Sequence, residues 1–190
     1  VVFQANIGRQ YGTFELGDVT TDICRKMISR HSHIFGSDHC ETAEDVVTNW
    51  EKIKKAERGF ETQGQVLQGV SRGLPPLMRA EKVGKKAKCF DFADEDEVVE
   101  KIHEEMAELR VASVAGDADA CEEEVGDLLL SITSLCRKLS IDPEVALNRA
   151  TDKFIRRFEL LENAVTAEGK TMENLSSEEL NRIWNENKHK

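Results

Sequence analysis

Acidic residues recur at helical spacing in two neighbouring stretches of the chain, and their side chains are the groups best suited to chemistry. HEEMAELR carries Glu104, Glu105 and Glu108, and CEEEVGDLLL carries Glu124 and Asp127. Residues three or four positions apart share one face of a helix. Two unit charges about 4 Å apart repel by roughly 4 kcal/mol at an effective dielectric constant of 20. Carboxylates held this close therefore need compensating positive charge.

Divalent cations are the compensation that these residue types favour. The candidate ligand atoms are all carboxylate oxygens, with no histidine or cysteine at matching spacing. Oxygen ligands select hard ions such as Mg²⁺, with Mn²⁺ as a substitute, over zinc. Magnesium keeps several waters and shares its remaining positions with substrate phosphates. The pattern therefore indicates a polyphosphate substrate.

A solvated helix face is the alternative interpretation of any single ExxE pattern. Two features of the second stretch favour a site. Asp127 directly precedes an apolar run, which places it at the edge of buried surface. Gly126, which costs about 1 kcal/mol relative to alanine inside a helix, indicates close approach by another backbone or a ligand.

The elements that position these residues are predicted to be helices, because apolar residues repeat with a period of about 3.6 through most of the chain. Asp18 is expected to cap the first of them, which we favour over a metal motif formed with Glu15. Apolar stripes predict further helices at 46–53, 98–109 and 125–139. Prolines mark the start of two more, at Pro75–Pro76 and at Asp142–Pro143, and the second of these is expected to reach about residue 168. A capping box formed by Ser176 and Glu179 opens the last helix.

A short loop near Gly116 is expected to turn the chain back, so that the helices carrying the two acidic stretches pack antiparallel and their carboxylates converge. The Gly, Gln and Thr content of 59–73 predicts a linker. We therefore expect a partial helical segment at 1–58 and a complete helical domain at 74–190.

Bulk composition excludes several classes of function. The formal charge of −10 and the pI near 5.1 leave no basic surface for a nucleic-acid polymer. No run approaches the roughly 18 apolar residues of a membrane span, and the first residues do not resemble a signal peptide. The five cysteines are odd in number and contain no CxxC pair, so reduced thiols are expected. These features favour a cytoplasmic protein without a membrane partner.

The motif EEMAE followed by EEEVGD resembles the EExxE…ExxD signature of the MazG family of all-α nucleoside triphosphate pyrophosphohydrolases. The resemblance continues through RGLPPLMRAEKVGKKA, NRATDKFIRRF and GKTMENLSSEELNRIWNENK. SRHSHIFG and VVTNWEKIKKAER are similar to the later part of the amino-terminal half of two-domain members. In those members an ExxD helix would precede VVFQ, so residues 1–58 are expected to be catalytically incomplete.

The resemblance implies roles for individual carboxylates. By this resemblance, the metal ligands of the family correspond to Glu105, Glu108, Glu124 and Asp127. Two further catalytic candidates, Glu104 and Glu123, would support the ligands or orient water; ordinary solvated glutamates are the alternative for both.

Basic and aromatic residues near the carboxyl end also match family positions. Lys153 and Arg157 resemble phosphate-binding residues with a catalytic role, although a helix surface pairing with nearby glutamates is an equal alternative. Trp184 and Lys188 resemble residues near the nucleotide. Trp184 could stack on a base, or it could belong to the core.

The activity that the resemblance implies is hydrolysis of nucleoside triphosphates to monophosphates and pyrophosphate, by water activated with Mg²⁺ and attacking the α-phosphorus. The fold implied is an all-α MazG-like bundle completed by a homodimer, which would cover apolar helix faces. Two alternatives remain open: a helical binding or regulatory module without catalysis, and a pyrophosphatase restricted to dUTP or dCTP.

Overall fold

The computed structural model describes residues 1–187, and these contain helices, turns and loops but no β-strand. The all-α prediction is confirmed. Backbone contacts divide the chain into two compact units, one formed by Val1–Gly69 and the other beginning at Val70. Within the described part, no helix has the length and apolar character needed to cross a bilayer.

The first unit contains five helices. They are α1 (Val2–Gln10), α2 (Leu16–Arg30), α3 (Ser32–Phe35), α4 (Ala43–Glu57) and α5 (Gln63–Gln68). An ion pair joins α2 to α4, with Arg30 Nη2 2.6 Å from Glu57 Oε2. Gly8 lets α1 approach the turn before α2, because a Cβ there would lie 2.8 Å from Phe14. The segment predicted as a linker is not wholly irregular, since α5 lies within it.

Asp18 does not cap α2 in the predicted way. The N-cap is Glu15, and Asp18 is the third residue of the helix. Its carboxylate accepts a hydrogen bond from the Glu15 backbone N–H at 2.8 Å. The prediction placed the start of α2 too late, because Glu15 is not among the preferred cap residues.

The second unit contains the helices that carry the predicted site. They are α6 (Pro76–Lys86), α7 (Glu95–Ala115), α8 (Ala118–Lys138), α9 (Pro143–Ala167), a 3₁₀ turn (Met172–Asn174) and α10 (Ser177–Glu186). The proline starts of α6 and α9 and the capping box of α10 are confirmed. Asp94, Asp117 and Asp142 cap α7, α8 and α9 by accepting backbone hydrogen bonds of 3.0–3.1 Å.

The α7–α8 hairpin is the most extensively packed part of this unit. Gly116 ends α7 with φ of 71°, a left-handed conformation that side chains disfavour, and the chain reverses there as predicted. Val98 on α7 is fully buried. Thr133 on α8 is also buried, and its hydroxyl donates to the Leu130 carbonyl at 2.8 Å, so it leaves no unpaired polar group.

A separate apolar cluster joins α9 to α10. Leu161, Val165 and Ile183 form its buried centre. Partly buried residues surround it: Ala164, Met172, Leu175, Leu180 and Trp184. Apolar packing therefore holds α10 against α9, and the capping box defines where α10 begins.

Asp91 ties the loop between α6 and α7 to α8. Arg137 donates to both carboxylate oxygens of Asp91, at 2.5 and 2.7 Å. Lys138 donates to the carbonyl of Phe92 in the same loop. The Arg137 guanidinium lowers the pKa of Asp91 to about 2. The ion pair is largely shielded, with side-chain exposures of 14% for Arg137 and 21% for Asp91.

We expect Asp91→Asn to lower the free energy of unfolding by on the order of 1–2 kcal/mol at neutral pH, because a shielded two-bond ion pair is lost. A folded-state pKa below the unfolded value means that the stabilisation is present above about pH 4 and is lost as the pH falls toward 2. Urea unfolding over this range measures the difference from wild type.

Asp152→Asn, at an exposed position of α9, is the control for removal of a carboxylate. A destabilisation by Asp91→Asn that stays constant from neutral pH down to the acid range would contradict the role of the ion pair.

Candidate metal centre

The reversal at Gly116 brings glutamates of α7 and α8 together. Glu105 and Glu108 lie one turn apart on α7, and Glu124 lies on the returning helix α8. Each offers one carboxylate oxygen, and the three oxygens all lie within 4.8 Å of one another. We call these three residues the acidic cluster. The predicted convergence of carboxylates is therefore found for Glu105 and Glu108 of the HEEMAELR stretch and for Glu124 of the CEEEVGDLLL stretch.

The acidic cluster spans a gradient of burial. Glu105 is 3% exposed, Glu124 is half-buried and Glu108 faces solvent. A buried carboxylate with exposed neighbours can hold an ion at the protein surface while keeping room for waters or substrate on the open side. The donors are all oxygens, which fits a hard divalent cation.

Glu124 shows the electrostatic cost of the arrangement. Partial burial is the largest cause of a raised pKa for its carboxyl group, followed by the negative charge of Glu108. Glu105 and Asp127 raise the Glu124 pKa further. Each cause disfavours the charged form, so a cation placed among these groups would relieve the repulsion.

Lys101 supplies positive charge that the sequence analysis did not assign. Its Nζ lies 2.8 Å from Glu105 and 3.0 Å from Glu104. These partners raise the lysine pKa above its usual range, chiefly through the hydrogen bond to Glu105. The signal was available, since lysine and glutamate three and four positions apart on a helix commonly pair.

The other predicted carboxylates lie around the acidic cluster. Asp127 is exposed one turn after Glu124 and outside the group of close oxygens, yet near enough to affect the Glu124 pKa. Glu104 is exposed and held by Lys101. Glu123 is exposed on α8 and is not brought into the acidic cluster. Apart from the adjacent residues and the backbone of α8 itself, a Cβ at Gly126 would meet no described atom within 4 Å, so no other helix of the described residues makes the close approach predicted there.

The predicted phosphate and base residues lie on α9 and α10. The Arg157 guanidinium carbon sits 4.2 Å from the centre of the Trp184 ring, in a cation–π contact. Phe154 packs on the same indole, with ring centres 5.4 Å apart. Trp184 thus belongs partly to the α9–α10 apolar cluster. Lys153 is exposed, and Lys188 lies outside the described residues.

Arg157 keeps unused hydrogen-bonding capacity. Its Nε and Nη2 atoms are buried and have no hydrogen-bond partner among the described residues. Within that part of the chain, α9 packs mainly on α6 and α10 and shares no extensive contact with α7 or α8. Lys153 and Arg157 therefore lie on a helix whose extensive contacts are made with α6 and α10, and not with the helices that carry the acidic cluster.

Comparison with known proteins identifies the family. The family model described as the MazG nucleotide pyrophosphohydrolase domain matches residues 1–35 and 93–160, and the second range contains the whole acidic cluster. The chain belongs to the MazG family.

Several curated proteins are similar to nearly the full chain. The nucleoside triphosphate pyrophosphohydrolase of Escherichia coli K12 is 37% identical over 97% of this chain and 72% of its own length. The nucleoside triphosphate pyrophosphohydrolase/pyrophosphatase MazG of Thermotoga maritima is 38% identical over 97% of this chain and 70% of its own. The Bacillus subtilis protein YabN is 37% identical over 99% of this chain and 39% of its own. Similarity to these proteins therefore extends through both compact units.

We expect Glu124→Gln to raise the melting temperature of the metal-free protein at neutral pH, because the substitution removes a charge that its neighbours disfavour. A raised folded-state pKa means that the ionised Glu124 carboxylate destabilises the fold above that pKa. The gain should therefore vanish once the pH falls below about 4, where glutamate is protonated in both states. Thermal unfolding in the presence of a chelator measures it.

Glu122→Gln changes an exposed neighbour outside the acidic cluster and is the matched control. Equal melting temperatures for Glu124→Gln and wild type across the pH range would count against the repulsion described here.

Proposed function

We propose that the chain hydrolyses nucleoside triphosphates to nucleoside monophosphates and pyrophosphate. The observation that carries this proposal is the convergence of Glu105, Glu108 and Glu124 from two helices. The activity named for the Escherichia coli and Thermotoga relatives supports it. We assign the activity to residues 74–190, the region that contains the acidic cluster.

Magnesium is the cofactor that the donor set fits best, with Mn²⁺ as a substitute. Glu105, Glu108, Glu124 and Asp127 would hold it through carboxylate oxygens. When bound, divalent cations offset the charge of polyphosphate oxygens and make a water molecule more acidic. The raised Glu124 pKa supports this assignment, because it indicates unbalanced negative charge where the ligands meet.

The reaction we propose is an in-line displacement at the α-phosphorus. The oxygen of water forms a bond to that atom while the bond to the oxygen bridging the α- and β-phosphates breaks. Pyrophosphate leaves with the bridging oxygen, and the proton of the attacking water passes to solvent or a nearby carboxylate. Glu104 and Glu123, exposed residues that directly precede Glu105 and Glu124 in the sequence, are the candidates to accept a hydrogen bond from this water.

Basic residues would neutralise the phosphates. The unpartnered Nε and Nη2 of Arg157 are donors suited to phosphate oxygens. The Trp184 ring packs on one side of the Arg157 guanidinium. This contact occupies one face of the indole and so limits the ability of Trp184 to stack on a base. Lys153 adds a point charge one turn earlier on α9, and Lys188 is the remaining predicted nucleotide contact.

A homodimer would complete this site. Large apolar side chains are exposed on the helices of the second unit, among them Met106, Val111, Val114, Leu129, Phe154 and Ile155. Monomeric proteins seldom expose a large contiguous apolar patch. Because α9 does not pack extensively on the α7–α8 hairpin of its own chain, a second copy is the simplest source of basic residues near the acidic cluster.

The activity is tested by supplying each nucleoside triphosphate with Mg²⁺ to the full chain and measuring pyrophosphate. We expect Glu105→Gln and Asp127→Asn to lower turnover by on the order of 100-fold or more, because each removes a charged ligand. Glu122→Gln should retain activity. In isotopically labelled water the label should enter the monophosphate, as attack at the α-phosphorus requires.

Retained turnover in Glu105→Gln would remove the metal assignment. Label recovered in pyrophosphate would place the attack at the β-phosphorus instead. Turnover of dUTP or dCTP alone would restrict the substrate, and absence of turnover with every triphosphate would leave a binding module.

The oligomer is tested by light scattering at micromolar concentration. We expect the mass of a dimer for the wild type and a shift toward monomer for Leu129→Arg, because a charge would be buried in the interface. Asn181→Arg places the same side chain at an exposed position of α10 and is the control. A stable wild-type monomer would contradict the dimer.

A further inference from the structure

The ion pair between Lys101 and the buried member of the acidic cluster links the lysine to metal binding. The lysine Nζ lies 2.8 Å from Glu105 Oε1, and the Glu105 side chain is only 4% exposed. A buried carboxylate without a partner is strongly destabilising. In the metal-free protein, Lys101 is therefore the positively charged partner of Glu105, which lies beside Glu108 and Glu124.

We propose that Lys101 is an internal counterion that occupies Glu105 before metal binds and releases it when a divalent cation enters, so that this lysine sets the metal concentration at which the site fills. The inference rests on the proposed function, since it takes the acidic cluster as the metal site. Lys101 acts through Glu105 and is a positioning residue.

The geometry favours release of Lys101 over an arrangement in which Lys101 and a metal cation share the Glu105 carboxylate. The Glu105 oxygen is within 4.8 Å of oxygens of Glu108 and Glu124, so a cation among the three would need the carboxylate that Lys101 holds. Two positive charges on one carboxylate would repel. Lys101 is 36% exposed and its stem is flexible, so the ammonium can turn to solvent without moving α7.

Release has a thermodynamic consequence for the free protein. A cation that displaces Lys101 must break the pairs with Glu105 and Glu104 before it gains its own contacts. The free energy needed to break these pairs is subtracted from the binding free energy, so the apparent affinity for free metal is lower. The lysine thus stabilises the empty site and weakens binding of metal in the absence of nucleotide.

The first measurement is calorimetric titration of the full chain with Mn²⁺ at low ionic strength and without nucleotide. We expect Lys101→Met to bind Mn²⁺ about tenfold more tightly than wild type, because one competing charge is gone. Lys85→Met is the matched control. It removes a 2.6 Å pair with Glu81, also four residues apart, from a helix that lacks the acidic cluster.

The second measurement separates release from a purely structural ion pair. Without metal, Lys101→Met should melt a few degrees below wild type, because Glu105 loses its partner. With saturating Mn²⁺, the two proteins should melt together, because the pair is already broken in the wild type. A difference that persists at saturation would mean that Lys101 stays on Glu105, and this would overturn the proposal.

Unchanged Mn²⁺ affinity in Lys101→Met would also overturn the proposed role of Lys101. If Glu124→Gln still weakens Mn²⁺ binding in that case, the assignment of the metal site stands. Mn²⁺ binding that is absent from the wild type, or unaffected by Glu124→Gln, would instead remove the metal site and the proposed function with it.

Discussion

The second unit holds three mutually repelling carboxylates close together, and this is the constraint that its structure must satisfy. Glu105, Glu108 and Glu124 share a space in which their oxygens are within 4.8 Å, and one of the three side chains is almost fully buried. A fold selected for stability alone would not gather these charges. The α7–α8 hairpin imposes the arrangement through the turn at Gly116, and Lys101 pairs with the buried carboxylate of Glu105.

Much of this arrangement follows from local sequence. Helical spacing predicted which face the carboxylates share, and the turn near Gly116 predicted that the two helices would meet. Proline starts and the Ser176 capping box also depend on neighbouring residues alone, and they were predicted correctly. The start of α2 was misplaced because Glu15, an uncommon cap, precedes a more usual cap residue, Asp18.

Contacts between distant residues were beyond such reasoning. Arg137 pairs with Asp91 across 46 positions, and nothing in the pattern of either stretch indicates the other. The contact of Arg157 with Trp184 likewise depends on how α10 packs on α9. Lys101 was missed for a different reason: its spacing to Glu105 is visible in the sequence, but helix surfaces carry many such pairs, and only burial shows which one matters.

Anomalous diffraction from crystals grown with Mn²⁺ and a non-hydrolysable nucleoside triphosphate would show whether the acidic cluster holds divalent metal together with a triphosphate. We expect manganese peaks bounded by Glu105, Glu108 and Glu124, with the phosphates bound to the same ions. Phosphates and manganese bound elsewhere, with Lys101 still paired to Glu105, would contradict this expectation.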